Sequence, residues 1–244
     1  VVRSLDPTRP LVYHGNAEVR DEDTVNYHYP TLAPETADGD IHQWRRLLVP
    51  GKPTGVGEYF QTSATARPLG PDPATRALRA TEAKDWMGHF TRGLRHLGFA
   101  DLRPKLLNWT LHEPPDSWRV RVLRDTFAPV ALFDLDYDAL GVAPVRDGRL
   151  PVVAPGSHHA RRLRLYNEEW SGEWIDYTLS LRIDGSEYER RSGRRQVAPG
   201  TFVDWAVELS APASPGLWEI VREVSKDGVT RFREVSAFSV TASP

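Results

Sequence analysis

Near residue 150 the hydrophobic pattern changes period, and no single uniform architecture accommodates both halves. Downstream, Ile175, Tyr177, Leu179, Leu181 and Ile183 alternate with Asp176, Thr178, Ser180, Arg182 and Asp184. Val203, Trp205, Val207 and Leu209 alternate with Asp204, Ala206 and Glu208. Leu163 and Leu165 alternate with arginines, and Trp218 with Ile220, then Phe238 with Val240, repeat the spacing. Period two places every apolar side chain on one face of an extended strand. Asp-Gly and Pro-Gly turns separate the runs, so the stretch predicts an antiparallel sandwich in which each sheet keeps one wet face.

Upstream the pattern is different. Short apolar runs near 11–14, 25–28, 54–58 and 106–110 predict buried strands, and helical stripes lie between them. Asp40 opens a short helix with Trp44, Leu47 and Leu48 on one face. Leu78, Trp86, Phe90, Leu94 and Leu97 form a second stripe closed by Gly98, and Asp116 caps a third helix running to about Phe127. Strands alternating with helices imply parallel strands joined by crossovers. The expectation is therefore α/β followed by all-β: residues 1–145 as one domain and 146–244 as a sandwich. In this reading Asp134–Asp138 and the stretch around His158 and His159 form the connection. Arg190 to Arg195 forms a solvated basic turn.

Composition narrows the chemistry. A net charge of −2 calls for neither nucleic acid nor an anionic membrane surface. The absence of cysteine removes thiolate metal ligands, disulfides and a thiol nucleophile together. No apolar run reaches the roughly 18 residues of a membrane-spanning helix. No phosphate-cradling glycine loop is present, and His158-His159 lacks nearby acids, so neither a cofactor nor a metal is expected. The acids between Glu18 and Asp23 do not follow the spacing of a calcium loop. The chain starts without Met and in mid-pattern, which suggests a piece of something longer and leaves its compartment open. Eight Trp residues suit either a core or a cleft in which flat rings stack on sugars.

The segment Pro53-Thr-Gly-Val-Gly-Glu-Tyr59 carries the sharpest signal. It is an apolar run that ends on a carboxylate, and a buried charge without a partner is costly. In a β/α barrel the C-terminal ends of strands line the active site. Glu58 is thus a candidate catalytic carboxylate. The plainer reading is a capping or ion-paired surface acid.

Taken together, Leu5-Asp-Pro-Thr-Arg-Pro-Leu-Val12, Asn26-Tyr-His-Tyr29, Pro53-Thr-Gly-Val-Gly-Glu-Tyr59 and Leu107-Asn-Trp-Thr110 resemble, in order, strands five to eight of glycoside hydrolase family 2, the β-galactosidase, β-glucuronidase and β-mannosidase group. Asn167, Trp170 and Ala198-Pro-Gly200 resemble parts of the immunoglobulin-like modules attached to such enzymes. The resemblance implies the C-terminal half of a (β/α)8 barrel followed by an immunoglobulin-like sandwich. Glu58 would then be the nucleophile of a retaining hydrolase of β-glycosides, with Asn26, His28, Tyr29 and Trp109 binding the sugar. The family's acid/base is a Glu after an Asn on strand four, and no Asn-Glu precedes residue 58. The chain's one Asn-Glu, Asn167-Glu168, falls in the sandwich, and Glu113 matches no acid of the family. The missing half of the barrel is thus an expected partner, and the 244 residues alone are expected to be inactive. The alternative is a non-catalytic carbohydrate-binding or scaffold module.

Overall fold

The computed structural model describes residue 8, residues 24–28, 45, 47–59, 88, 91–104, 116, 118–140 and 150–241. The chain divides into two compact units, Val1–Thr126 and Phe127–Pro244. The division falls upstream of the expected 145/146 boundary, because residues 130–134 form a strand of the second unit.

In the first unit, β1 (Val25–His28), β2 (Thr54–Tyr59) and β3 (Asp101–Pro104) form a three-stranded sheet in that order. Both pairings are parallel, as the alternation of strands and helices requires. The expected strands at 11–14 and 106–110 lie outside the described residues, so a half barrel is not established. The strand that pairs with β2 begins at Asp101, earlier than expected, and its four residues include one aliphatic side chain, Leu102. Residues 91–96 are helical and end in a Schellman motif. Gly98 has φ +85, its N–H donates to the Arg95 carbonyl, and the Phe99 N–H donates to the Leu94 carbonyl. That closure brings Phe99 against Leu94 in a small core with Val56, flanked by Leu47, Leu48, Leu97 and Leu102. Helix α1 (Trp118–Thr126) approaches closely at Gly88, where an added Cβ would lie 3.5 Å from Val122. The buried Arg95 guanidinium donates to the Thr126 carbonyl at 2.7 Å.

The second unit is a β-sandwich. A three-stranded sheet has the order β4 (Val130–Asp134), β6 (His158–Asn167), β9 (Thr201–Ser210). A five-stranded sheet has the order β5 (Val152–Val153), β11 (Val229–Val240), β10 (Gly216–Lys226), β7 (Trp174–Ile183), β8 (Ser186–Gln196). All neighbours are antiparallel except β5 and β11. Asp184-Gly185 and Asp227-Gly228 make the two-residue hairpins, with φ positive at both residues of each pair. This is the turn chemistry that matches strand twist.

Two elements depart from the expected layout. Arg190–Arg195 is not a turn but the second half of β8, an edge strand with one exposed and one half-buried face. Its arginines close ion pairs, Arg190 with Glu187 and Arg194 with Asp176. Tyr188 and Arg191 donate to the Ser210 and Glu208 carbonyls of β9, which helps cover otherwise open sheet edges. Similarly, His158 and His159 open β6 rather than lying in a linker.

The inward-facing residues of β10 are Trp218, Ile220, Arg222, Val224 and Lys226, so two cations stand on the apolar face. Ile220 belongs to one core cluster with Trp218, Leu181, Leu209 and Phe238, and Val224 belongs to another with Leu163, Leu165, Ile175 and Phe232. Arg222, 1% exposed, falls between them. Its Nη2 donates to Glu234 at 2.7 Å, and its Nη1 lies 3.7 Å from Asp134. Arg161 grips the same Asp134 oxygen through Nε and Nη2 at 3.0 and 2.8 Å. The other Asp134 oxygen caps helix α2 (Leu135–Asp138) by accepting from the Asp136 and Tyr137 amides. Two acids and two arginines therefore make a charge-balanced polar layer across the sandwich. Buried charges persist when paired and hydrogen-bonded.

On β7 and β8 the aligned pair Tyr177 and Gly193 sets a tight spot. A Cβ at Gly193 would stand 2.6 Å from the Tyr177 hydroxyl oxygen and 2.8 Å from its ring, while Tyr177 also packs against Trp205. Gly193→Ala is expected to destabilise the sandwich by about 1–3 kcal/mol through overpacking. Urea unfolding should show a lower midpoint at unchanged slope, and Gly193→Ala should cost less in a Tyr177→Ala background than in the wild type.

Candidate active site at the parallel strand ends

Parallel strands present their C-terminal ends on one side, where ligands of α/β folds bind. In the first unit this edge is formed by the ends of β1 and β2. Strict pairing runs from Val25 opposite Thr54 to Tyr27 opposite Val56. The register then slips, and His28 pairs with Glu58. Gly57 is the extra residue of this bulge, and the β2–β3 pairing slips over the same stretch, between Val56 and Tyr59. A glycine suits a bulge because it has no Cβ to crowd the partner strand, and bulges recur next to active sites. The slip brings the Glu58 and His28 backbones opposite each other, neighbours across about 4.8 Å of sheet.

Asn26 lies two residues before His28. It is 4% exposed, and its side-chain carbonyl oxygen has no hydrogen-bond partner among the described residues. The Thr24 hydroxyl is likewise buried without one. Buried polar groups are ordinarily satisfied, so the Asn26 acceptor is available to a hydroxyl or amide donor. Between Asn26 and His28, Tyr27 donates its hydroxyl to the Leu47 carbonyl at 2.9 Å, and burial pushes its pKa upward. Tyr27 is therefore a structural tie that keeps a neutral phenol beside the site. Sequence reasoning passed over it, although a Tyr inside a short strand signals a hydroxyl in need of a partner.

Of the five residues expected to form the site, β1 and β2 bring together Asn26, His28 and Glu58. The side chains of His28 and Glu58 lie outside the described residues, as do Tyr29 and Trp109 entirely. The acids from Glu18 to Asp23 and Glu113 also lie outside them. Among the described residues no group of three or more His, Cys, Asp or Glu could hold a metal ion, and no helix is long and apolar enough to cross a membrane.

The histidines of β6 make local bonds. His159 Nε2 lies 2.8 Å from the Ser157 hydroxyl, and His158 Nδ1 lies 3.0 Å from that of Ser210. Burial first, then Arg161 and His158, hold the His159 pKa below 6.5. A base with a lowered folded pKa stabilises the fold fully above the unfolded pKa and progressively less as pH falls below it. The melting-temperature difference between wild type and His159→Gln is accordingly expected to change below about pH 6.5, the ordinary histidine value, the wild type losing stability faster. Thermal melts of both proteins across that range check this.

No family model matches the chain, and no curated protein matches it. Solved structures give weak likenesses. One, titled "putative beta-galactosidase", from Bacteroides fragilis, aligns at 13% identity and TM-score 0.32, over 36% of this chain and 15% of that one. The sporulation control protein Spo0M from Bacillus subtilis aligns at 16% identity and TM-score 0.28, over 38% of this chain and 46% of that one. A family 123 glycoside hydrolase from Clostridium perfringens aligns at 10% identity and TM-score 0.28, over 47% of this chain and 27% of that one. Scores this low lend no weight to any one of these activities. The chain spans less than half the length of each of these proteins, and glycoside hydrolases are among its weak structural neighbours.

Proposed function

We propose that this chain is the nucleophile-bearing part of a retaining glycoside hydrolase acting on β-glycosides, with Glu58 as the nucleophile. The observation that carries the reading is the bulged register at the ends of two parallel strands, which sets Glu58 opposite His28, two residues beyond Asn26 on the same strand. The motif order described above adds the family 2 assignment, with Tyr29 and Trp109 as further sugar contacts. The strand order of the second unit, with β5 alongside β11, supports reading it as an immunoglobulin-like module of that enzyme.

In this mechanism the Glu58 carboxylate attacks the anomeric carbon while the bond to the leaving oxygen breaks. A second carboxyl, roughly 5–5.5 Å away, protonates that oxygen. Water then hydrolyses the glycosyl ester, with the second carboxyl now acting as base. The second carboxyl belongs to a barrel strand upstream of these residues. Loss of a general acid costs on the order of 10²–10⁴ in rate.

The test is to express the chain with the coding sequence upstream of Val1 and follow a nitrophenyl β-glycoside by proton NMR. The β-anomer as first product supports the reading. The α-anomer as first product, or an upstream sequence with no Asn-Glu closing a strand, removes it.

A further inference from the structure

The loop between β6 and β7, residues 168–173, carries at its apex Trp170, which is 99% exposed. A bare indole normally belongs to a floppy segment, but this loop is held from beneath. Lys226, 1% exposed, points its ammonium from the sandwich interior into the loop. It donates to the Asn167 side-chain oxygen at 3.0 Å and to the Ser171 carbonyl, and it pairs with Glu169 at 2.8 Å. Asn167, fully buried, donates from Nδ2 to the Gly172 and Val197 carbonyls at 2.7 Å each. The Glu168 amide donates to the Pro129 carbonyl. Gly172, at φ +73, leaves room for the lysine, since a Cβ there would stand 2.7 Å from Lys226 Cε. A buried lysine and a buried asparagine are thus committed to fixing a loop that exposes one aromatic ring. Burying a charge is a poor route to stability, so the position of the loop is what this arrangement secures.

We propose that Trp170 is a sugar-stacking platform, a surface site for neutral polysaccharide separate from the strand-end site of the first unit. The chemistry around it selects the occupant. The loop contributes the carboxylates of Glu168, Glu169 and Glu173. Lys226 is buried on Glu169, and Arg231 lies 3.9 Å from the same carboxylate. With three carboxylates against two cations the loop has no excess positive charge to draw a polyanion such as nucleic acid or an anionic lipid. Carboxylates accept hydrogen bonds from sugar hydroxyls, and the indole face covers the apolar C–H face of a pyranose. Trp174, half exposed where the loop enters β7, is a second ring for a longer chain.

Affinity electrophoresis of the 244-residue chain through gels containing soluble β-glucan, xylan, galactomannan or arabinogalactan tests this. Retardation by at least one of them is expected, and Trp170→Ala should weaken it about tenfold or more, as for a hot-spot aromatic. Trp170→Phe should keep part of the binding. The melting temperature of Trp170→Ala should match wild type, because the ring packs on nothing. Retardation needs no turnover, so the platform and the catalytic proposal fail separately. The proposal is overturned if none of the four gels retards the chain, or if Trp170→Ala is retarded equally. It is also overturned if the residue instead proves necessary for self-association in sedimentation or for binding a lysine-rich peptide.

Discussion

Glu58→Gln, in a protein that joins this chain to its upstream barrel strands, is expected to lower kcat/KM on a β-glycoside by on the order of 10⁴–10⁶-fold, the scale seen when one member of a catalytic unit is removed. The amide cannot attack the anomeric carbon, and no described carboxylate stands at the same register position. The loss should fall on kcat for the glycosylation step, with stability little changed, since Gln preserves the volume of the side chain. Glu58→Gly supplies the control. Azide entering the vacated space should restore turnover and give the glycosyl azide of inverted configuration, which a merely structural glutamate would not allow. His28→Ala should reduce the rate less, because a sugar contact contributes binding rather than the reacting bond.

Asp134→Ala is expected to cost about 3–5 kcal/mol of stability, the range for breaking a buried ion pair from one side. One oxygen of this carboxylate serves Arg161 and lies near Arg222, and the other caps helix α2. Removing it leaves two arginines facing each other in the sandwich with Glu234 as the remaining acid. Asp134→Ser keeps a cap and loses the charge, so it should recover only the capping share, about 1 kcal/mol. Guanidinium unfolding of the three proteins separates the two contributions. Equal stability of Asp134→Ser and wild type would contradict the ionic account.

The sequence made β6, β7, β9, β10 and β11 legible because each alternates apolar with polar side chains over much of its length, and that contrast is what period two records. β8 lacks the contrast. Its half-buried positions are Glu189, Arg191 and Gly193, none of them apolar, so the alternation leaves no hydrophobic trace and the residues read as a basic turn. β4 lacks it in the opposite sense, since Val130-Ala-Leu-Phe-Asp134 is buried throughout and gives no alternation. Arg222 and Lys226 lie in phase with Trp218, Ile220 and Val224, so their inward placement was available from parity alone. Charge hid it, because a cation at an inward position looks like the end of a strand rather than a member of a buried network. At the strand ends, the apolar run closed by Glu58 was readable. The bulge at Gly57 that pairs Glu58 with His28 was not, because a glycine in a strand marks an irregularity without fixing its register.

Covalent trapping tests the central claim most directly. A 2-deoxy-2-fluoro β-glycoside with a good leaving group should inactivate the extended protein, and peptide mass spectrometry should place the fluoroglycosyl ester on Glu58. A label on any other residue, or inactivation that survives Glu58→Gln, would contradict it.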